Sequence, residues 1–228
     1  MDWADYAAVL FDLDGVVTPT AEVHMRAWSE MFNDFLETEP GQPPYTDADY
    51  FAHVDGKPRY DGVRDFLTSR GIPAPEQLVV ELGDRKNEAF NEVLARDGVT
   101  AYPGSVELLD HLRGLGTPLA VVSSSVNAPA VLEAAGLTDR FRTVVSGAVA
   151  KEHGLPGKPA PDTFSYAAEV LGATPATSVV LEDAVSGVAA GRAGEFALVV
   201  GVDRGAGVDT LTRAGADLVV ADLQELVP

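Results

Sequence analysis

The sequence contains no cysteine among its 228 residues. Disulfide bonds, thiolate catalysis and zinc sites with cysteine ligands are therefore excluded. Basic residues are scarce: 16 lysines and arginines stand against 35 aspartates and glutamates, so the formal net charge is −19. A protein of this charge repels nucleic-acid backbones and anionic lipid, so neither nucleic acid nor a membrane is the expected partner. It also repels phosphorylated metabolites, so a phosphate site needs specific cations.

Long apolar runs are also missing, and none approaches the roughly 20 residues that a membrane-spanning helix needs. The first ten residues, MDWADYAAVL, are acidic and lead directly into a strand-like run, unlike a signal peptide. A cytoplasmic location is therefore expected, and we expect a monomer. Hydrophobic residues make up 46% of the chain and charged residues 22%, which is typical of a folded globular protein.

Six short apolar runs predict buried β-strands. The runs are continuous rather than alternating, which is typical of a parallel sheet that helices cover on both faces. Apolar residues at helical spacing lie between most of them, so the pattern indicates an open α/β fold with a Rossmann-like parallel sheet. The predicted strands are 7–11, 118–123, 143–147, 178–183, 196–202 and 217–223, and the predicted helices between them are 104–115, 128–135, 161–171 and 185–193.

The segment between the first two predicted strands has a different pattern. Long amphipathic stretches at 21–36, 60–69 and 76–94 predict helices, and the turn-rich segment 38–47 predicts a loop. We therefore predict a helical cap domain at 19–99, inserted into an α/β core formed by 1–18 and 100–228. Thr18 and Pro19 are predicted to be the N-cap and first residue of the first cap helix, and Pro161 to be the first residue of a later helix.

Polar residues follow four of the predicted strands, and ligands of parallel α/β sheets bind at these carboxyl ends. If the strands are neighbours, carboxylates, hydroxyls and an amine converge on one cleft. Each motif alone has a structural alternative: DxD is common in acidic chains, three serines can form a turn, and Glu-Asp can begin a helix. Their order at successive strand ends favours a site. The residues are Asp12, Asp14, Ser123, Ser124, Ser125, Lys158, Glu182 and Asp183.

These residue types suit phosphoryl transfer. A carboxylate such as Asp12 can attack a phosphoryl group, which creates an aspartyl-phosphate. Because both groups are anions, a hard cation has to lie between them, and the oxygen ligands Asp12, Glu182 and Asp183 suit Mg²⁺. Lys158 can balance the remaining charge, and Asp14 can exchange a proton with the leaving or attacking oxygen. Ser123 and nearby backbone N–H groups can bind the remaining phosphate oxygens.

Four segments together resemble the haloacid-dehalogenase-like superfamily of phosphohydrolases and phosphomutases. They are DLDGVVT, the serine after the second strand, GKPAPD and LEDAVSG, in this order. The resemblance implies that Asp12 is the nucleophile and that Asp14 is the acid/base, with its backbone carbonyl also a metal ligand. It implies that Ser123 and Lys158 stabilise the phosphate while Glu182 and Asp183 hold Mg²⁺. Asp14 also argues against dehalogenase chemistry, because that branch lacks a second aspartate there.

A finer resemblance is to the β-phosphoglucomutase group. The segment TPTAEVHMRAW matches that group after the nucleophile, and implies that His24 positions Asp14 and couples cap closure to catalysis. The segment GKPR resembles the substrate loop of the cap, whose arginine, here Arg59, holds the distal phosphate. The segment DRKN resembles the helix of that group whose lysine, here Lys86, reaches the sugar phosphate. The implied substrate-binding residues are Thr18, Trp28, Gly56, Arg59, Lys86, Ser124, Ser125 and Asn127.

The cap residues also have structural alternatives. His24 and Trp28 are four residues apart and could simply pack together on one helix face. Arg59 and Lys86 could be solvated surface charges. The sequence departs from the group at Pro19, where the group has Asp, at Val126, where it has Lys, and at Asp55, where it has Lys, although Lys57 is close by. Fewer cations weaken the binding of a bisphosphate, so these departures leave the substrate open.

Two enzymatic activities remain possible on this pattern. Transfer to a sugar hydroxyl makes a mutase that interconverts β-glucose 1-phosphate and glucose 6-phosphate, whereas transfer to water makes a sugar-phosphate phosphatase. The outcome depends on how well the cap excludes water. Arg59 and Lys86 favour the mutase, because a second phosphate needs its own cations. A non-catalytic sugar-phosphate sensor is a rival from another class, but it has no need of a nucleophile, an acid/base and metal ligands together.

Overall fold

At the centre of the computed structural model, which describes residues 2–228, lies a parallel sheet of six strands in the order β3-β2-β1-β4-β5-β6. The strand order runs outward in opposite directions from β1 and β4, which places a switch point between these two strands. The predicted α/β fold with a parallel sheet is therefore confirmed. The strands are β1 (Ala8–Phe11), β2 (Leu119–Val122), β3 (Thr143–Val145), β4 (Ser178–Glu182), β5 (Leu198–Val202) and β6 (Leu218–Val220).

Both faces of the sheet are buried, which explains the continuous apolar runs. Val9 and Phe11 of β1 point into one apolar cluster, while Ala8 and Leu10 point into another on the opposite face. All four side chains are fully buried. Since successive side chains of a strand face opposite sides, a central strand covered on both sides has to be apolar at every position.

Ten α-helices occur among residues 2–228. A single π-helical turn, Tyr50–Val54, follows the short helix α2. The helices are α1 (Thr20–Leu36), α2 (Asp47–Asp49), α3 (Arg59–Ser69), α4 (Glu76–Asp97), α5 (Pro103–Leu115), α6 (Ala128–Ala134), α7 (Gly147–Glu152), α8 (Asp162–Val170), α9 (Val185–Ala193) and α10 (Val208–Ala214).

The helices inserted after β1 have an apolar cluster of their own. Phe32 of α1 packs against Phe66 of α3 with ring centroids 4.1 Å apart and ring planes tilted by 45°, and Leu82 of α4 belongs to the same buried cluster. The predicted helices 21–36, 60–69 and 76–94 thus correspond to α1, α3 and α4. The exact boundaries of a cap at 19–99 and a core at 1–18 and 100–228 stay predictions.

The predicted start of α1 is wrong. The helix begins at Thr20 with Pro19 as its N-cap, and no side chain caps it. Thr18 is fully buried instead, because the chain turns tightly before the helix: its N–H donates to the Leu13 carbonyl (3.0 Å) and its carbonyl accepts from Gly15 (2.7 Å). This turn directs the Thr18 side chain inward, where its hydroxyl meets that of Thr20 at 2.7 Å.

A second helix start is displaced by one residue. Pro161 is the N-cap of α8 and not its first residue, which is Asp162. The helices α7 and α10 were not predicted, since six and seven residues are too few to establish a helical periodicity.

Candidate active site

The buried amine of Lys158 joins the carboxyl ends of three adjacent strands. Its Nζ donates to Oδ1 of Asp12 after β1 (2.5 Å), to Oε1 of Glu182 at the end of β4 (2.6 Å) and to the carbonyl of Val122 at the end of β2 (3.0 Å). The side chain is 1% exposed. Burial disfavours its charge, but Asp12 and Glu182 outweigh that effect and raise the pKa of Lys158 above its ordinary value. The residue is therefore a fixed cation beneath the cleft.

Three buried carboxylates beside Lys158 are arranged to hold a metal ion. Asp12, Glu182 and Asp183 each offer an oxygen, and these atoms lie within 4.8 Å of one another. Burial raises the pKa of Asp12 and of Asp183, and neighbouring carboxylates raise both further. Four carboxyl groups including Asp14 thus converge where Lys158 supplies one positive charge, and their oxygen atoms fit a hard divalent cation.

Two glycines make room for these carboxylates. A Cβ on Gly187 would lie 1.7 Å from Oε1 of Glu182, and a Cβ on Gly15 would lie 1.8 Å from Oδ2 of Asp183. Gly15 also has a φ of +89°, which favours glycine. The N–H of Ala184 donates to Oε2 of Glu182 at 2.8 Å and fixes that carboxylate. The DLDG and LEDAVSG segments therefore supply both these carboxylates and the space around them.

Asp14 is held by two residues of α1 and by one residue that follows β2. Its Oδ1 accepts a hydrogen bond from Thr20 at 2.5 Å and lies 3.4 Å from Nε2 of His24, while Oδ2 accepts from Ser123 at 3.3 Å. Burial alone would raise the pKa of Asp14, but His24 and the Thr20 hydroxyl lower it to about 2. The carboxylate is therefore ionised at neutral pH. The sequence analysis did not identify Thr20, although the TPT segment contains it.

Lys86 lies inside the protein, so its interpretation as a solvated surface charge is wrong. The residue is 4% exposed, and its Nζ contacts Nδ1 of His24 and lies 5.1 Å from the ring centres of Trp28 and Phe90. Burial lowers its pKa to about 7, although Asp14 acts in the opposite direction. His24 stacks on Phe90 at 4.1 Å while Trp28 stacks on Phe32, so each ring has its own aromatic partner.

A cavity of about 400 Å³ lies between the sheet edge and the inserted helices. Asp12, Asp14, His24, Ser123 and Asp183 face it. Thr18 is the exception among the residues expected to bind substrate: it is fully buried and does not line the cavity. The other expected substrate-binding residues do line it, namely Trp28, Gly56, Arg59, Lys86, Ser124, Ser125 and Asn127.

Some polar side chains around the cavity form hydrogen bonds with one another. Nη1 of Arg59 lies 3.4 Å from Oδ1 of Asp84 and 3.3 Å from the carbonyl of Gly83. Its side chain is 18% exposed, so it is only partly solvated. Nδ2 of Asn127 donates to Asn87 at 2.8 Å, which connects the loop after β2 with α4.

Two of the three residues at which the sequence departs from the β-phosphoglucomutase group line the cavity. Lys57 makes an ion pair with Asp65 of α3, which neutralises it. Burial, together with Glu182, raises the pKa of Asp55 to about 7, although the Tyr50 hydroxyl opposes the shift. Val126 lines the cavity and is 42% exposed. Nearby α7 adds an exposed lysine to the cavity wall, Lys151, which sequence reasoning missed because this short helix had no periodic signal.

The family model for haloacid dehalogenase-like hydrolases matches residues 6–194. The chain belongs to this family. A beta-phosphoglucomutase of Mycobacterium bovis is 47% identical over 239 residues, an alignment that covers 96% of this chain and 91% of that protein. Hexitol phosphatase A of Escherichia coli is 31% identical, with 95% of this chain and 91% of that protein covered.

A solved structure extends the likeness from sequence to fold. A beta-phosphoglucomutase from Clostridium difficile has a TM-score of 0.81 to this chain at 25% identity, and 97% of this chain and 93% of that chain are covered. The protein is thus a β-phosphoglucomutase-like member of the haloacid dehalogenase-like hydrolases, an enzyme of the phosphomutase and phosphatase kind. Among residues 2–228, no helix has both the length and the apolarity that crossing a membrane requires.

Proposed function

We propose that this haloacid dehalogenase-like enzyme transfers phosphoryl groups through an aspartyl-phosphate on Asp12, with Mg²⁺ as cofactor. The proposed reaction is the interconversion of β-glucose 1-phosphate and glucose 6-phosphate. The observation that supports it most is the buried carboxylate of Asp12, which shares Lys158 with Glu182 and opens onto the cavity. The 47% identical relative that is named a beta-phosphoglucomutase supports the choice of substrate.

In the first step a carboxylate oxygen of Asp12 attacks the phosphorus and the bond from phosphorus to the leaving oxygen breaks. The leaving oxygen takes a proton from Asp14, which is then ionised. Asp12, Glu182 and Asp183 would hold the metal ion, which neutralises the negative charge between carboxylate and phosphate. Lys158 fixes one oxygen of Asp12 and holds a positive charge beside the reacting group. Ser123, whose hydroxyl is 3.3 Å from Asp14, lies where it can bind a phosphate oxygen.

The second step needs a base, and Asp14 is ionised in this arrangement. The phosphoryl group leaves Asp12 for an acceptor hydroxyl, whose proton passes to Asp14. In the reverse direction the protonated Asp14 returns that proton to the leaving oxygen. Thr20 and His24 keep the carboxylate directed at the cavity.

We further propose that residues 19–99 act as a cap that closes over the substrate, and that Arg59 binds the phosphate that is not reacting. Ser125 and Asn127 line the same cavity and would supply further donors. The ion pair between Arg59 and Asp84 is long, at 3.4 Å. A substrate phosphate can therefore displace Asp84 and accept two hydrogen bonds from the Arg59 guanidinium.

A sugar-phosphate phosphatase is the second candidate function. The 31% identical relative named hexitol phosphatase A supports it, as does the loss of a cation at Val126. The chemistry at Asp12 is the same, and water replaces the sugar hydroxyl as the acceptor. A monomeric state and a cytoplasmic location stay predictions.

Replacement of Asp12 by Asn tests the nucleophile. We expect Asp12→Asn to lose turnover of every phosphate ester, because the amide cannot form the acyl-phosphate. Turnover is measured with β-glucose 1-phosphate and with p-nitrophenyl phosphate, and circular dichroism confirms that the variant is folded. Full turnover in the variant would refute the assignment.

Replacement of Arg59 by Ala tests the distal phosphate site. We expect Arg59→Ala to lower kcat/KM for the sugar phosphate by about 10- to 100-fold, the usual range for a charged hydrogen bond. Hydrolysis of p-nitrophenyl phosphate, which has neither a second phosphate nor a sugar hydroxyl, should change little. Arg85→Ala is the matched control, since Arg85 lies on α4 and is 41% exposed. An equal decrease in kcat/KM for both substrates would mean that Arg59 does not bind the distal phosphate.

A further inference from the structure

Two serines of the core bind the backbone of one cap loop. The loop is residues 55–58, between the π-helical turn and α3. Oγ of Ser124, after β2, donates to the carbonyl of Gly56 at 2.7 Å. Oγ of Ser186, in the first turn of α9, donates to the carbonyl of Asp55 at 2.9 Å. Both bonds cross between residues that are far apart in sequence, and both lie at the edge of the cavity.

The loop and the core are closely fitted at this contact. Gly56 has a φ of +68°, and a Cβ on it would lie 2.3 Å from Oγ of Ser186. On the other side of the loop, a Cβ on Gly157 would lie 2.2 Å from Cγ of Pro58. Glycines on both surfaces therefore allow the loop backbone to approach the core, and the two serine hydroxyls satisfy its carbonyls there.

We propose that Ser124 and Ser186 are positioning residues that determine the phosphoryl acceptor, by holding the cap loop closed while the aspartyl-phosphate exists. This inference rests on the proposed function. The bond between phosphorus and Asp12 breaks and a bond to the acceptor oxygen forms, while the acceptor proton passes to Asp14 and the Asp12 carboxylate is regenerated. The same bonds form and break whether the acceptor is a sugar hydroxyl or water. The acceptor is therefore selected by which of the two molecules can reach the aspartyl-phosphate.

The two hydrogen bonds act on the equilibrium between closed and open loop. When the loop opens, the carbonyls of Asp55 and Gly56 and the two serine hydroxyls become exposed to water. Each hydrogen bond therefore stabilises the closed state by its net free energy relative to hydrogen bonds with water. Loss of one such bond shifts the equilibrium by about two- to tenfold. A more open loop admits water and releases bound sugar phosphate, and both effects increase hydrolysis relative to transfer.

The test measures where the phosphoryl group goes. Ser124→Ala, Ser186→Ala and the double variant are incubated with β-glucose 1-phosphate, Mg²⁺ and a trace of glucose 1,6-bisphosphate. Phosphorus NMR then gives the ratio of inorganic phosphate to glucose 6-phosphate. We expect this ratio to rise about two- to tenfold in each single variant and more in the double variant. Loss of folded enzyme lowers both products equally, so the ratio does not respond to a purely structural defect.

Ser69→Ala is the matched control. Its hydroxyl also donates to a backbone carbonyl at 2.7 Å, that of Phe66, but within α3 and not between cap and core. The ratio should remain at the wild-type value in this variant. An unchanged ratio in the double variant, or an equal rise in Ser69→Ala, overturns the inference.

Amide hydrogen exchange separates this inference from the proposed function. If the wild type makes neither glucose 6-phosphate nor inorganic phosphate, the proposed function fails, and with it the role in acceptor choice. Exchange at residues 55–57 still reports on the contact itself: faster exchange in the double variant supports loop closure by the two serines. Equal exchange in wild type and double variant contradicts it.

Discussion

Replacing Lys158 by Met removes the cation that joins Asp12 and Glu182. The side chain is buried, and all three of its hydrogen-bond partners are buried oxygens at strand ends. Methionine fills a similar volume but leaves two buried carboxylates without their cation. We therefore expect both a large loss of stability and a loss of activity.

The size of the loss follows from the buried ion pairs. Removing one partner of a buried pair costs about 3 to 5 kcal/mol. For a domain of this size each kcal/mol lowers Tm by about 2 to 4 °C, so we expect a decrease of about 6 to 20 °C. The pKa of Lys158 is raised, so the ammonium contributes this stability below its ordinary pKa and loses it only as the pH rises through the folded value.

Differential scanning calorimetry with and without Mg²⁺ measures this effect. Metal bound by Asp12, Glu182 and Asp183 relieves the same repulsion, so Mg²⁺ should raise Tm more in Lys158→Met than in the wild type. Lys151→Met is the control, because Lys151 is exposed and its replacement should cost less than about 0.5 kcal/mol. A Tm decrease in Lys158→Met no larger than in this control would refute the reasoning.

Two further predictions concern the residues around Asp14. The unfolded chain binds the proton of Lys86 more tightly than the folded protein does, so the free energy of unfolding of the wild type should rise between pH 7 and 10, by up to about 1.4 kcal/mol per pH unit. Lys86→Met should abolish this rise. Urea unfolding at several pH values measures the free energy, and equal slopes against pH in both proteins would contradict the prediction. Thr20→Val should lower kcat about tenfold because the hydrogen bond from Thr20 to Asp14 is lost, whereas Thr20→Ser should retain activity. Steady-state kinetics measure kcat, and similar values in the wild type and both variants would contradict the role of Thr20 in positioning Asp14.

The sheet was predictable because its central strands β1 and β2 are apolar and buried at every position. Burial on both faces restricts polar residues to the strand ends, so Asp12 directly after β1, and Glu182 and Asp183 at the end of β4, mark the edge of the sheet. The sequence pattern therefore predicted both the fold and the place where the carboxylates meet.

The features that the sequence did not determine depend on turns and on contacts between distant segments. Thr18 and Thr20 are equally plausible in the TPT segment, and only the tight turn at Gly15 decides which hydroxyl reaches Asp14. The bond between Ser124 and Gly56 joins residues 68 positions apart, for which one sequence has no signal. Lys86 lies on an amphipathic helix, where only the packing of Trp28 determines that it points inward.

Phosphorus NMR of the wild type tests the central claim most directly. The protein is incubated with β-glucose 1-phosphate, Mg²⁺ and a trace of glucose 1,6-bisphosphate, with Asp12→Asn as the control. A glucose 6-phosphate signal that grows without inorganic phosphate, only with Mg²⁺ and only in the wild type, is the predicted result. Growth of glucose 6-phosphate in Asp12→Asn, or an unchanged wild-type spectrum, would contradict it.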